Sequence, residues 1–181
     1  MEWINTLDTY IFRWINSNGI EILDPIMILV SSKFFWVPLY LYLLFLLYKK
    51  FSKKFIWVLG SVVLLIFLAD YGSVHLFKEV FERLRPCHQL ENVRIVNGCG
   101  GLYGFISSHA ANTFSVTFFI NILLKNRKLF HFLLLWSILI GFSRIYLGVH
   151  FPFDILGGAC WGMLVSLLTY RILKFKLNEA I

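Results

Sequence analysis

Several stretches of this chain run for about 20 residues with almost no charge, the length a helix needs to cross the hydrocarbon core of a bilayer. In lipid the chain must satisfy its own backbone N–H and C=O groups, and a helix does this within one segment. The fold class expected is therefore all-α: an integral membrane bundle of about five transmembrane helices, at 25–48, 55–77, 108–124, 129–147 and 152–173. Asp24 reads as the N-cap of the first, with Pro25 at its first helical position. Composition agrees, with 59% hydrophobic residues and a mean hydropathy of +0.73. A soluble domain keeps nearer half of its residues apolar.

The formal net charge of +7 would suit nucleic acid in a soluble protein, but its placement argues otherwise. Lys49, Lys50, Lys53 and Lys54 fall between two apolar runs, Lys125, Arg127 and Lys128 between two more, and Arg171, Lys174 and Lys176 close the last. Short basic connections mark the cytoplasmic side of a membrane protein. No nucleic-acid partner is expected; the bilayer is the partner. The N-terminus is then outside and the C-terminus inside. The polar connection over 86–106 and the turn at Gly148-Val149-His150 share the outer face.

The first segment is amphipathic, with Trp3, Ile4, Leu7, Tyr10, Ile11, Trp14 and Ile15 at helical spacing and Asn5, Asp8 and Arg13 opposite. It is too short and too polar to span. It reads as an interfacial helix anchored by its indoles, or as one packed on the rim of the bundle. Lys33 lies sixteen residues before Lys49 and Asp70 sixteen after Lys54, so an antiparallel hairpin brings both to similar depth, about 24 Å from the basic turn. They are expected to pair, unless Lys33 reaches the outer interface alone.

The remaining cations lie against the topological bias. Lys78, Arg83, Arg85 and Arg94 sit beyond the second span, and Arg144 near the outer end of the fourth. Binding an anion is a natural reason to place them there. Lys78 and Arg85 would share one face of a helix continuing to Pro86. Ser107-Ser108-His109 opens an apolar run; Ser107 suits a helix cap, the helix start suits a phosphate, and His109 suits a proton donor to a leaving group. In Ser143-Arg144-x5-His150-x3-Asp154, the carboxylate four residues on can hold one imidazole nitrogen and leave the other free to attack.

Taken together, these elements resemble the type 2 phosphatidic acid phosphatase (PAP2) superfamily, bacterial membrane lipid phosphatase branch. That family's pattern reads K-x6-R-P, then P-S-G-H, then S-R-x5-H-x3-D. Lys78, Arg85 and Pro86 fill the first motif, and Ser143, Arg144, His150 and Asp154 fill the third. The second departs: Ile106 stands for the proline and Ser108 for the glycine, while Ser107 and His109 remain. The resemblance implies one PAP2-type domain over 1–181, with His150, His109 and Asp154 catalytic. Lys78, Arg85, Ser107, Ser108 and Arg144 would bind the substrate's phosphate. His150 would attack phosphorus, His109 would protonate the leaving oxygen, and water would hydrolyse the phosphohistidine. No metal or other cofactor is implied, because the cations supply the charge.

The expected function is a lipid phosphate or diphosphate phosphatase at the outer face of a bacterial inner membrane. Undecaprenyl diphosphate and lipid A 1- or 4′-phosphate lead the substrates; phosphatidylglycerophosphate and phosphatidic acid follow. A non-catalytic lipid-phosphate binding or transport protein is the competing class, and a soluble haloperoxidase-like vanadate binder fits the hydropathy poorly. Cys87 and Cys99 share the outer connection and either pair in an oxidising compartment or stay free. Cys160 and the Gly158-x3-Gly162 step read as helix packing. Glu79, Glu82 and Arg83 read as a solvated or headgroup-level face, and His88 stands close enough to Arg85 to touch substrate.

Overall fold

The computed structural model describes residues 2–179. The helices, in chain order, are α1 (Glu2–Ser17), α2 (Asp24–Ser31), α3 (Val37–Phe51), α4 (Phe55–Gly72), α5 (Glu79–Phe81), α6 (Pro86–Gln89), α7 (Ser108–Leu124), α8 (Arg127–Tyr146) and α9 (Pro152–Glu179). Three helical stretches among the described residues are long and apolar enough to cross a membrane: Phe34–Phe81, Arg127–Tyr146 and Pro152–Leu177. The first folds back on itself at Ser52 (φ 43°), so α3 and α4 are separate limbs of it. With the 17-residue α7, five long limbs make up the bundle. The all-α membrane architecture is as expected.

Two helices stop sooner than the sequence suggests. The expected helix over 25–48 breaks between α2 and α3, where Ser32 is extended and Phe34–Trp36 form a 3-10 turn. Pro38 explains it: with no N–H to give to the carbonyl four residues back, it opens a new helix and cannot continue an old one. The Trp36 indole N–H bridges the break to the Val30 carbonyl at 2.8 Å. Asp24 does not cap α2 with its side chain, which is drawn instead to Arg94 and Tyr146. Likewise α4 widens into a π-helical turn at Ser73–Lys78 and ends with Glu82 in the left-handed conformation, not at Pro86. Arg85 therefore lies on an extended strand-like segment, bridged through Leu84 to Tyr103.

The core forms around α7, which buries residues on nearly every side against α4, α8 and α9. Its approach to α9 is closest at the two glycines. A methyl group on Gly158 would come 2.6 Å from the Ser107 carbonyl oxygen, and one on Gly162 would come 2.5 Å from that of Ala111. Small residues allow such backbone proximity where lipid gives no hydrophobic drive to associate. Between α7 and α8, the Thr117 and Ser137 hydroxyls meet at 2.8 Å with both residues fully buried. Lys50 donates to the Leu123 carbonyl at 2.8 Å, so the basic turns on either side of α4 and α7 share one end of the bundle. The residues of the three motifs gather at the other.

The N-terminal helix lies with its faces exchanged relative to a soluble one. Trp3, Tyr10 and Trp14 are about two-thirds exposed, while Asp8, Phe12 and Asn16, four residues apart, are buried against the bundle. Aromatic residues on the outside of a helix suit the membrane interface. Asp8 does not face water, as the amphipathic pattern suggests; it docks on the motif end.

Candidate active site

Three chain segments meet where α7 and α9 begin. His150 sits in the turn between α8 and α9, where Gly148 takes φ +85° and leaves no room for a side chain beside the Arg94 carbonyl. The imidazole is 2% exposed. Its Nδ1 lies 3.2 Å from Asp154 Oδ2 and its Nε2 3.2 Å from Arg85 Nη1. With Nδ1 carrying the proton toward the carboxylate, Nε2 is the ring's lone-pair nitrogen and faces the guanidinium. Burial, then Arg85, Arg144 and Lys78, hold this imidazole well below its ordinary pKa. It is neutral at physiological pH, the form in which a nitrogen can act as a nucleophile.

Asp154 is completely buried in the first turn of α9. Oδ2 also accepts the Phe151 N–H at 2.9 Å, and the Asp154 carbonyl accepts the Ser107 N–H at 2.9 Å. The second and third motifs are thus joined directly through the backbone. Ser107 is fully buried and caps α7, its hydroxyl accepting from the Ala110 N–H at 3.5 Å. Ile106 is equally buried against Gly157, filling the place of the family's proline with aliphatic packing. Ser108, at the family's glycine, accepts from Lys78 Nζ at 2.7 Å and meets the Ser73 hydroxyl at 2.6 Å. This departure adds a hydroxyl that holds the lysine.

Arg85 also donates to the Val149 carbonyl at 3.2 Å, while its Nε is buried with no partner among the described residues. Arg144 donates to the Ser31 hydroxyl, and its Nε is likewise buried and unpaired. Unused buried donors are uncommon and call for an acceptor. His109 is half-buried at the polar end of a cavity of about 300 Å³. It lies in the electrostatic reach of Arg144, His150, Lys33 and Lys78. Apolar residues of α3, α4 and α7, among them Tyr40, Leu43, Leu65 and Val116, line the rest of that cavity.

The structure brings Lys78, Arg85, Ser107, Ser108, His109, Arg144, His150 and Asp154 to one end of the bundle, as the motifs imply. Other expectations change. Lys33 and Asp70 form no ion pair: Asp70 accepts from Asn112 at 3.1 Å, and Lys33 lies beside His109 on the cavity, beyond the break in the first span. Arg94 is drawn into an ion pair, both Asp24 oxygens taking its Nη2 at 2.6 Å, while its Nη1 is buried without a partner among the described residues. That pairing holds the Asp24 carboxyl below the usual carboxylate range. Arg83 is not a solvated residue. It donates to Asp154 Oδ1 at 2.9 Å and to Asp8 Oδ2 at 2.6 Å, and lies 4.3 Å over the Phe151 ring. His88 is exposed, and Cys87 and Cys99 form a disulfide beside it with Cα atoms 6.1 Å apart.

Helices that cross a membrane, and an anion-ready polar end with a neutral imidazole at its centre, define an integral membrane phosphatase. The chain belongs to the PAP2 superfamily, whose model matches residues 54–177. It is 36% identical over 179 residues to the lipid A 4′-phosphatase of Porphyromonas gingivalis, covering 95% of this chain and 75% of that one. It is 29% identical over 168 residues to an undecaprenyl-diphosphatase of Sulfolobus acidocaldarius, covering 90% of this chain and 76% of that one. Among solved structures, a transmembrane PAP2-type phosphatidylglycerolphosphate phosphatase from Bacillus subtilis superposes with a TM-score of 0.75. At 23% identity, over 100% of this chain and 89% of that one, it shares the fold.

Proposed function

We propose that this phosphatase removes a phosphate from the head of a glycolipid of the lipid A type, by way of a phosphohistidine on His150. The observation that carries the mechanism is the buried His150 ring, held by Asp154 at Nδ1 with Nε2 turned to Arg85. His150 Nε2 attacks phosphorus, the bond to the lipid oxygen breaks, and His109 gives that oxygen a proton. Water, deprotonated by His109, then attacks the phosphohistidine and releases inorganic phosphate. Lys78, Arg85 and Arg144 hold the phosphoryl oxygens, the two unpaired Nε–H groups supply donors, and Ser107 and Ser108 fix the start of α7, which carries His109. Donors placed in advance where charge develops are usually the largest contribution to such catalysis. These cations supply the charge, so the chemistry asks for no metal.

Substrate class rests on the stronger match to the lipid A 4′-phosphatase, at 36% identity against 29% for the undecaprenyl-diphosphatase. The latter favours a second reading, an undecaprenyl diphosphate phosphatase. In either, the apolar cavity below His109 receives hydrocarbon. The basic turns favour a site on the outer face of the cytoplasmic membrane. Residues 1–181 act as one unit. Phosphate release, measured without added metal from lipid A, undecaprenyl diphosphate, phosphatidylglycerophosphate and phosphatidic acid, tests the reading. Lipid A should be the best substrate, and His150→Ala should lower kcat on the order of 10⁴-fold. Activity surviving in that variant would refute the phosphohistidine. A protein that binds these lipids and releases no phosphate would be a binding or transport protein instead.

A further inference from the structure

The carboxylate that orients His150 is itself held from outside the three motifs. Asp154 spends Oδ2 on His150 and the Phe151 N–H, and its Oδ1 accepts from Arg83 alone among the described residues. The other end of the Arg83 fork is taken by Asp8, on α1. Asp8 is 0% exposed, and its second oxygen accepts the Phe153 N–H at 2.9 Å, one residue before Asp154. The guanidinium lies over Phe151, whose ring packs at 5.4 Å on Phe12, also from α1. Thus α1 grips the start of α9 through a charge, a backbone hydrogen bond and a ring.

We propose that Arg83 and Asp8 are positioning residues of the active site: Asp8 aims the Arg83 guanidinium at Asp154, and Arg83 fixes the carboxylate that orients His150. The inference rests on the phosphohistidine reading. A planar guanidinium can serve two carboxylates at once in fixed geometry, which a lysine ammonium cannot. A fully buried carboxylate without a counter-charge is costly and leaves its place for the nearest cation. Here that cation is Arg85, which bonds His150 and Val149 and makes no bond to Asp154. By satisfying Asp154, Arg83 leaves Arg85 free to face the phosphoryl group. Burial pushes the Asp8 carboxyl up, against the Arg83 hydrogen bond, so the pair is mutually dependent.

Phosphate release by Asp8→Asn, Arg83→Lys and the double variant, purified in detergent and given whichever of the four lipids the parent hydrolyses best, tests this. Asp8→Asn keeps the shape and Arg83→Lys keeps a cation, and melting curves identify any variant that fails to fold. Each should lower kcat roughly 10- to 100-fold with KM within about twofold, as loss of an outer-shell partner does. The double variant should fall no further than the weaker single one, because Asp8 acts through Arg83. A structural role alone would lower melting temperature and leave kcat unchanged. Unchanged kcat in a folded Asp8→Asn, or effects that multiply in the double variant, would overturn the inference while an active parent and inactive His150→Ala keep the mechanism. A parent inactive on all four lipids, or an active His150→Ala, overturns both.

Discussion

The two ends of the bundle are both made of helix starts, helix stops and turns, yet they are held by different means. At the basic end, turns of a few residues join the helices: Ser52 and Lys125 take left-handed or strained φ, Asn126 caps α8, and Lys50 reaches the Leu123 carbonyl. At the other end, α1, the long connection and the α8–α9 turn are tied by Asp8–Arg83–Asp154 and by Asp24–Arg94. Asn16 adds hydrogen bonds to the backbone of Arg94 and Tyr146. A turn needs only to reverse the chain. A site must hold charges in place against their mutual repulsion and their hydration, so its contacts are directional and cross between distant segments.

This contrast can be broken from either side. Arg85→Ala should have the largest effect, lowering kcat/KM about 10²- to 10³-fold while the melting temperature stays near that of the parent. Steady-state kinetics in mixed micelles would show it, and an unfolded variant would count against a purely electrostatic role. Leu133→Ala, in the buried apolar middle and away from the cavity, should do the reverse: a loss of about 2–5 kcal/mol in stability with kcat/KM nearly unchanged. Denaturation in detergent measures the first and the same assay the second.

Acid should distinguish the ends through His150. The folded protein holds this ring neutral with a pKa well below 6.5, whereas the unfolded chain protonates it near 6.5. Below that pH the unfolded state binds the extra proton, so stability is full above 6.5 and falls with pH, by up to about 1.4 kcal/mol per pH unit. His150→Gln should make melting temperature less steep against pH between 6.5 and 5, whatever it does to activity. Lys50→Ala, at the basic end, should be the smallest change, within about 1 kcal/mol of the parent and with the parent's kinetics. A larger loss would show that the basic end, too, is held by charge.

Much of this is legible from the sequence because the chemistry is local. His150 and Asp154 are one helical turn apart, Ser107 directly precedes an apolar run, and the apolar runs are long enough to be counted as helices. What escapes is the direction in which faces point. The spacing of Asp8, Phe12 and Asn16 marks one helix face, but periodicity does not say whether the surroundings are water or lipid. In an interfacial helix the aromatic stripe faces out and the polar one can face in. Arg83 is missed for the same reason: next to Glu79 and Glu82 it looks solvated, and its partners lie 75 and 71 residues away. A count of residues sets Lys33 against Asp70, and Pro38 interrupts that count.

The break in periodicity that matters most for anyone working with the chain is the one at its start. The superfamily match begins at residue 54, and α1 is not long enough to span a bilayer. A boundary drawn by either criterion would shorten the gene from the front and still leave every motif intact. It would also delete Asp8 and Asn16, and with them a helix that ties the connection over the site to the α8–α9 turn. A tag or fusion partner joined close to residue 8 trespasses on the same ground, so handles belong at the opposite terminus, beyond the basic end.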